Sequence, residues 1–455
     1  MRRLSLLIFL ACLFGPLEAK AISATDLATR DGEVAFGEAW LRSMRGRLGE
    51  RIDPFCIDVL ETWLIRLRNH YPLGDMPLKG LCLNPEAFNA FAAPGGIIGV
   101  NAGVYLDLTS EAEIMAVLAH ELAHLSQRHH YRGLRNSERV SAGTLATLAG
   151  IVAAIATRQG QAAQSLIMGG QAANAQSALA YSRDYEREAD RIGAQSLADA
   201  GYDPTAMRNV LAILAEKQSQ LTADMAFLST HPLGVERQSD LDARLTRLRL
   251  DNTAVPILSD TDFQLFRCVQ TEGFETAGRA IDPEMCTPLR ALLLDYRADR
   301  YRDAYTAFQR LPAAHRETLT GLDLTLALAT KAGDFAAAQD AIDTFALFFP
   351  SWVTPVVGQI DLAIAEGKTK LPRQFRETAV ARPDRIDLWR ALARFAEATR
   401  QNHLLFEARA WDALMHGKQE AAKTQLTRAR EAWPKTLDSR PLDRLETAIS
   451  AAERL

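Results

Sequence analysis

The sequence predicts a mainly α-helical protein in two parts: a domain of helices plus a small antiparallel sheet, then an α-solenoid of helical repeats. The motif H-E-L-A-H at residues 120–124 lies among apolar residues at helical spacing. Beyond about residue 289, helical segments recur and end in proline. The chain has 455 residues, 48% hydrophobic, which allows two or three ordinary globular domains. A net charge of −4 gives no basic excess, so nucleic acid is not expected as a partner.

The first residues have the pattern of a secretory signal peptide, which we assign to residues 1–21. Arg2 and Arg3 precede the apolar run 4–14, and residues 19–21 have the small-x-small form of a cleavage site. The apolar run is short for a membrane span. We therefore expect an exported protein whose mature chain starts near Ile22.

Four cysteines remain after residue 21, and an even number in an exported chain favours disulfides. The sequence-local pairs are Cys56 with Cys82 and Cys268 with Cys286. We expect these two disulfides, with four free buried thiols as the alternative.

Residues 22–250 are expected to form the first domain. Its beginning reads as helical, and short apolar segments at 81–83, 88–93 and 97–100 follow, separated by turn signals. These segments predict the small antiparallel sheet just before the motif helix. The edge of such a sheet can bind a substrate backbone as an added strand, or the sheet can be purely structural.

The motif helix can supply two metal ligands and a base. Ser110 and Glu113 form a capping box before it. His120 and His124 lie one helical turn apart on one face, so both imidazoles can bind a single Zn²⁺ ion. Glu121 lies about 100° round the helix, close enough to take a proton from the water that zinc activates.

The segment 142–182 has a single charge, Arg158. The simplest interpretation is a pair of buried helices. The alternatives are a mobile cover near the active site, or a surface (142–180) that makes peripheral contact with a membrane or a membrane-protein client.

A later helix can supply the third ligand. Glu186 and Asp190 are four residues apart and share a face, so Glu186 can complete a gluzincin-like His–His–Glu zinc site. Asp190 is then placed to accept the second ring N–H of a ligand histidine. Gly193 lies on the same face and allows a close helix approach, whereas Glu188 points elsewhere and is expected to be solvated.

These residues resemble a known family. The motif at 120–124, followed by Ser-Arg-x-x-Glu-x-x-Ala-Asp at 182–190, resembles the HtpX and CAAX-prenyl-protease superfamily of zinc metallopeptidases. His231-Pro232 followed by Arg237 is similar to a downstream His-Pro…Arg element of that family. The resemblance implies a zincin-type fold, Glu186 as the third ligand, and Arg237 behind the ligands. HtpX carries transmembrane helices that are not evident here, and the signal peptide with a helical-repeat tail is similar to the periplasmic branch.

His231 allows three interpretations. Its imidazole can occupy the open fourth position on zinc and silence the enzyme, which is a regulatory role. It can instead donate to the oxyanion of the transition state. It can also be a packing residue before Pro232. On the first interpretation, replacing His231 by alanine opens the site and speeds cleavage.

Residues 251–288 are expected to be a connector and residues 289–455 a tetratricopeptide-like repeat domain. Segments 334–350 and 417–434 resemble tetratricopeptide helix pairs, and 300–312 is a looser copy. A generic helical bundle is the alternative. Repeat arrays form concave surfaces that bind extended segments or partner proteins.

Together these features predict an exported zinc metalloendopeptidase with one Zn²⁺ per chain. The resemblance implies a periplasmic, outer-membrane-associated enzyme that degrades misfolded or stalled outer-membrane proteins. Its repeat domain would bind these clients or the outer-membrane protein assembly machinery. The alternative is a chaperone or assembly scaffold in which the protease is latent.

Overall fold

The computed structural model describes residues 29–136, 172–219, 231–233, 235–250, 253–274 and 281–454. The expected signal peptide and most of the apolar segment 142–182 lie outside the described residues. None of the helices within these ranges is long and apolar enough to cross a membrane.

The first part of the chain is helical except for three short strands. Its elements in chain order are α1 (Arg30–Met44), α2 (Pro54–Arg68), β1 (Lys79–Leu83), β2 (Ala90–Ala93), β3 (Ile97–Asn101), α3 (Ala102–Asp107), α4 (Glu111–Ser126), α5 (His129–Asn136), α6 (Ala172–Asp199), α7 (Thr205–Ser219) and α8 (Val235–Leu245).

The small sheet is mixed, which corrects the antiparallel sheet expected from the sequence. Its strand order is β1-β3-β2, with β2 antiparallel and β1 parallel to β3. The chain leaves β1 and crosses to the far side of the sheet before the β2–β3 hairpin returns it to the centre. The hairpin turn requires glycine, since Gly96 has φ +81° and a Cβ there would lie 1.8 Å from the carbonyl oxygen of Pro77.

Helix α4 is the central element of this first part. Ser110 caps it by accepting a hydrogen bond from the Glu113 backbone N–H, and the Glu113 carboxylate accepts from the backbone N–H of Thr109. Nearly every residue of α4 is buried, because α2, β2, α6 and α7 all pack around it. A helix enclosed on all sides holds its polar side chains in fixed positions.

The second part of the chain is entirely helical within the described residues. Its helices are α9 (Asp260–Gln270), α10 (Pro283–Arg297), α11 (Tyr301–Gln309), α12 (Ala313–Arg316), α13 (Leu319–Ala332), α14 (Phe335–Phe348), α15 (Thr354–Ala365), α16 (Arg373–Ala381), α17 (Ile386–Thr399), α18 (Asn402–Met415), α19 (Gln419–Ala432) and α20 (Arg440–Arg454).

The expected connector 251–288 is more ordered than its sequence indicates. It contains α9 and the beginning of α10, and Phe263 and Phe266 of α9 are fully buried in the same core as Trp63. Helix α9 has only 11 residues, about three turns, and the sequence pattern did not reveal it.

The helices after residue 313 pack mainly on their neighbours in the chain, as expected for a helical repeat region. Gly333 (φ +90°) ends α13 and Asp334 caps α14, which gives the tight turn of a helix pair. The rings of Trp389 and Trp411 stack at 4.7 Å between α17 and α18. The assignment of these helices to tetratricopeptide repeats remains a prediction.

The repeat region is fastened to the first part by a buried polar network. Asp58 of α2 accepts hydrogen bonds from the backbone N–H groups of Val353 (2.8 Å) and Thr354 (2.7 Å). It also accepts one from Arg385 at 2.5 Å, and Arg385 is only 3% exposed and pairs with Asp387 as well. A network of buried charges and backbone amides fixes the two parts relative to each other.

The structure contains both expected disulfides. Cys56 of α2 is bonded to Cys82 of β1, and Cys268 of α9 to Cys286 of α10. The first bond ties the sheet to the helix that carries Asp58, and the second ties α9 to α10 within the segment expected to be the connector.

Candidate metal centre

Four side chains that can bind a metal converge beside α4. His120 and His124 come from α4, Glu186 from α6, and His231 from the segment just before α8. One ligand atom of each lies within 4.8 Å of all the others, and all four residues are buried.

The spacing of these atoms fits a tetrahedral zinc ion. Zinc bonds of roughly 2.0–2.2 Å place tetrahedral ligand atoms about 3.3–3.5 Å apart. His120 Nε2 lies 2.9 Å from His124 Nε2 and 3.3 Å from His231 Nδ1. The carboxylate of Glu186 lies 3.3 Å from His120, 3.4 Å from His124 and 3.1 Å from His231. The donor set, three imidazoles and a carboxylate, is one that zinc prefers.

The charges of the cluster are set by its burial and by mutual contacts. Burial raises the pKa of Glu186, but His231 and His124 outweigh it and hold that pKa well below its usual value. Burial lowers the pKa of His124 well below its usual value. Burial also lowers the pKa of His120, but hydrogen bonds to Asp190 and Glu186 outweigh it and raise that pKa to about 10. A metal ion would need the His120 nitrogen that binds it to be unprotonated.

Asp190 and Arg237 support the ligands from behind. Asp190 Oδ1 lies 3.0 Å from His120 Nδ1, which is the contact expected from the sequence. Arg237 donates two hydrogen bonds to Asp190 at 2.7 and 2.8 Å, and its Nη1 lies 3.0 Å from Glu186. Arg237 is 3% exposed, and its Nη1 also donates to the carbonyl of Pro232 at 3.2 Å.

Glu121 lies beside the cluster, next to His231. It is 1% exposed, and its Oε1 lies 3.6 Å from His231 Nε2. Burial raises the pKa of Glu121, against the lowering effects of His231, His120 and a hydrogen bond from the backbone of Ala92. A carboxyl group with a raised pKa is suited to exchange protons near neutral pH.

The β2 edge of the sheet faces this site, and its residues Ala90–Ala93 are buried. The backbone N–H of Asn101 donates to the carbonyl of Asn89, so Asn89, Phe91 and Ala93 of the β2 segment pair with β3. The backbone groups of Ala92 then point away from β3, where they form hydrogen bonds with Glu121 and His130. This is the edge that the sequence analysis considered as a substrate-binding strand.

Close packing of α6 on α4 depends on Gly193. A Cβ at this position would lie 3.3 Å from the backbone of both Ala119 and His120, and 2.8 Å from Met207. The glycine lets Glu186 and Asp190 reach the two histidines, as its position on that helix face indicated.

His129 contacts the cluster, which no sequence pattern indicated, and Glu188 is less solvated than its position on α6 indicated. His129 Nδ1 lies 2.8 Å from Nδ1 of His124, and His129 Nε2 lies 3.2 Å from Glu188. Glu188 is therefore not a purely solvated charge, since it also accepts a hydrogen bond from Arg132 at 2.8 Å. The chain reverses at Arg128 (φ 53°), which returns α5 to the side of α6; a local pattern does not reveal this contact.

These features define a class: a metallopeptidase domain built on an H-E-x-x-H helix with a carboxylate ligand from a second helix. Residues 73–245 match the family model of Peptidase family M48. This part of the chain thus carries a Peptidase family M48 domain, which confirms the resemblance found from the sequence.

The chain is similar to several named relatives. It is 30% identical over 318 residues to the beta-barrel assembly-enhancing protease of Yersinia pestis, covering 66% of this chain and 64% of the relative. It is 29% identical over 248 residues to the beta-barrel assembly-enhancing protease of Escherichia coli strain K12, covering 54% and 50%. It is 32% identical over 149 residues to mitochondrial metalloendopeptidase OMA1 of Schizosaccharomyces pombe, covering 33% and 41%. The matches thus span less than two thirds of each relative's length.

Proposed function

We propose that this chain is a zinc-dependent endopeptidase of the periplasm. The observation that carries the proposal is the convergence of His120, His124 and Glu186 on one point with Glu121 beside it. The proposed catalytic domain covers residues 22–250 and the proposed repeat domain residues 289–455.

Each residue of the site has a role in peptide hydrolysis. His120, His124 and Glu186 would hold one Zn²⁺, which when bound would polarise a scissile carbonyl and lower the pKa of a water molecule. Glu121 takes the proton from the attacking water and later gives it to the leaving amine. Asp190 keeps His120 in the tautomer whose Nε2 faces the site. The β2 edge of the sheet is the proposed position at which the substrate backbone binds as an added strand.

His231 supports a latent resting state. Its Nδ1 lies at hydrogen-bond distance from Glu186, and its Nε2 faces Glu121 at 3.6 Å. In this arrangement the imidazole lies where a fourth ligand would, between the proposed base and the other ligands. The oxyanion role requires His231 to leave this position when substrate binds.

The proposed clients are misfolded or stalled outer-membrane proteins. The support is the name of the similar bacterial proteins, beta-barrel assembly-enhancing protease. The repeat domain is proposed to bind these clients or the assembly machinery. The second candidate is a chaperone or scaffold with a latent protease, which is favoured by the position of His231 and by the firm attachment of the repeat region through Asp58 and Arg385.

Casein cleavage by the full chain tests the proposed activity. Chelation should abolish cleavage and added Zn²⁺ should restore it. His120→Ala should lose both the bound zinc and the activity, whereas His403→Ala, in the repeat region, should lose neither. A metal-free protein that cleaves casein as fast as the zinc-loaded protein would contradict the proposal.

A further inference from the structure

His124 has a hydrogen-bond partner on the side away from the cluster. Its Nε2 faces His120 and Glu186, and its Nδ1 lies 2.8 Å from Nδ1 of His129. On the other side of the His129 ring, Nε2 lies 3.2 Å from Glu188. His129 is 5% exposed, so this contact is shielded from water.

The hydrogen-bond donors and acceptors of His124, His129 and Glu188 determine which nitrogen carries each proton. A histidine that binds a metal through Nε2 carries its hydrogen on Nδ1, so His124 must donate to His129. His129 Nδ1 must then accept, which leaves the hydrogen of a neutral imidazole on Nε2. That N–H points at Glu188, an acceptor-only group when ionised. Each donor therefore meets an acceptor, with no group left over.

Neighbouring side chains hold His129 in this orientation. The ring of Tyr185 stacks on it at 4.5 Å with an interplanar angle of 14°. Arg132 lies 4.8 Å above the Tyr185 ring and donates to Glu188 at 2.8 Å. The ring plane is thus set by stacking, and the carboxylate that receives its N–H is itself anchored.

We infer that His129 and Glu188 are positioning residues for zinc: they orient His124, as Asp190 and Arg237 orient His120. The inference rests on the proposed zinc site. The two histidine ligands are then each supported by a separate carboxylate on α6, at positions 188 and 190. His124 differs in that an additional imidazole relays the contact.

Zinc affinity tests the inference without recourse to activity. The dissociation constant is measured by competition with a chromophoric chelator on the full chain, and the cobalt(II) absorption spectrum reports the ligand geometry. His129→Phe keeps the stacked ring but removes the acceptor, so zinc should bind about 10–100-fold more weakly. His129→Asn, whose Oδ1 can accept the same hydrogen, should recover part of that loss. Asp184→Asn removes an exposed carboxylate from the same helix and should change nothing.

A double variant separates positioning from a general structural effect. Glu188→Ala should also weaken zinc binding, but it should add little in the His129→Phe background, because it acts through that ring. Wild-type zinc affinity and an unchanged cobalt spectrum in both His129→Phe and Glu188→Ala would overturn the inference alone. Failure of the wild-type chain to bind zinc would instead contradict the proposed function and this inference with it.

Discussion

Replacing Arg237 by leucine removes a guanidinium that makes ion pairs with both Asp190 and Glu186. Both carboxylates and the guanidinium are buried. Breaking a buried ion pair by removing one partner costs about 3–5 kcal/mol, because the remaining charge is left uncompensated. We therefore expect the metal-free Arg237→Leu protein to lose about 3–5 kcal/mol of unfolding free energy at neutral pH.

Urea denaturation of the metal-free protein measures this loss. Arg237→Lys keeps the charge but cannot make the two parallel hydrogen bonds to Asp190, so its stability should be intermediate. Arg187→Leu removes an exposed ion-pairing arginine that lies between α6 and α8, and it should have no measurable effect. If the Arg237→Leu protein has the same unfolding free energy as the wild type, Arg237 does not compensate the buried carboxylates.

The pH dependence of the same loss has a definite sign. Burial raises the pKa of Asp190, but Arg237 and His120 outweigh it and hold that pKa below its usual value. A carboxyl group with a depressed folded-state pKa stabilises the fold above its unfolded-state pKa, and this contribution disappears as pH falls through the folded-state value. The difference between wild type and Arg237→Leu should therefore be large near neutral pH and shrink on acidification.

The remaining predictions concern the two-part architecture, the role of His231 and the disulfides. Arg385→Leu should lower the unfolding free energy by about 3–5 kcal/mol, and Arg394→Leu, at an exposed pair, by at most about 1 kcal/mol; equal losses in urea melts would contradict the buried network. His231→Ala should keep zinc and cleave casein faster. A loss of roughly a hundredfold or more in kcat would favour the oxyanion role of His231. An unchanged rate would contradict both the blocking role and the oxyanion role. Replacing both Cys56 and Cys82 by alanine should cost about 2–4 kcal/mol, and mass spectrometry after thiol blocking should find no free cysteine in the exported wild type.

The ligand helix could be predicted because its signal is local. Helical geometry alone places His120 and His124 on one face, and the cap at Ser110 marks where the helix starts. Glu186 lies 62 positions after His124 in the sequence, so its selection needed the family resemblance as well as its spacing to Asp190. Gly193 then explains how the two helices come close enough.

The strand order and the contact between Glu188 and His129 were not predicted, because both depend on tertiary structure. The apolar segments of the sheet revealed strands, but they carry no information on whether β1 lies beside β2 or beyond β3. Glu188 looked solvated because its partner His129 reaches it only after the reversal at Arg128. Such contacts are tertiary, and short sequence patterns do not encode them.

The measurement that most directly tests the central claim is the zinc content and casein cleavage of wild type and Glu121→Gln, side by side. Glutamine keeps the shape of the side chain but cannot accept the proton. The account predicts one zinc per chain in both proteins, with cleavage reduced by about 10²–10⁴-fold in Glu121→Gln. Cleavage by Glu121→Gln at the wild-type rate, with zinc bound, would contradict it.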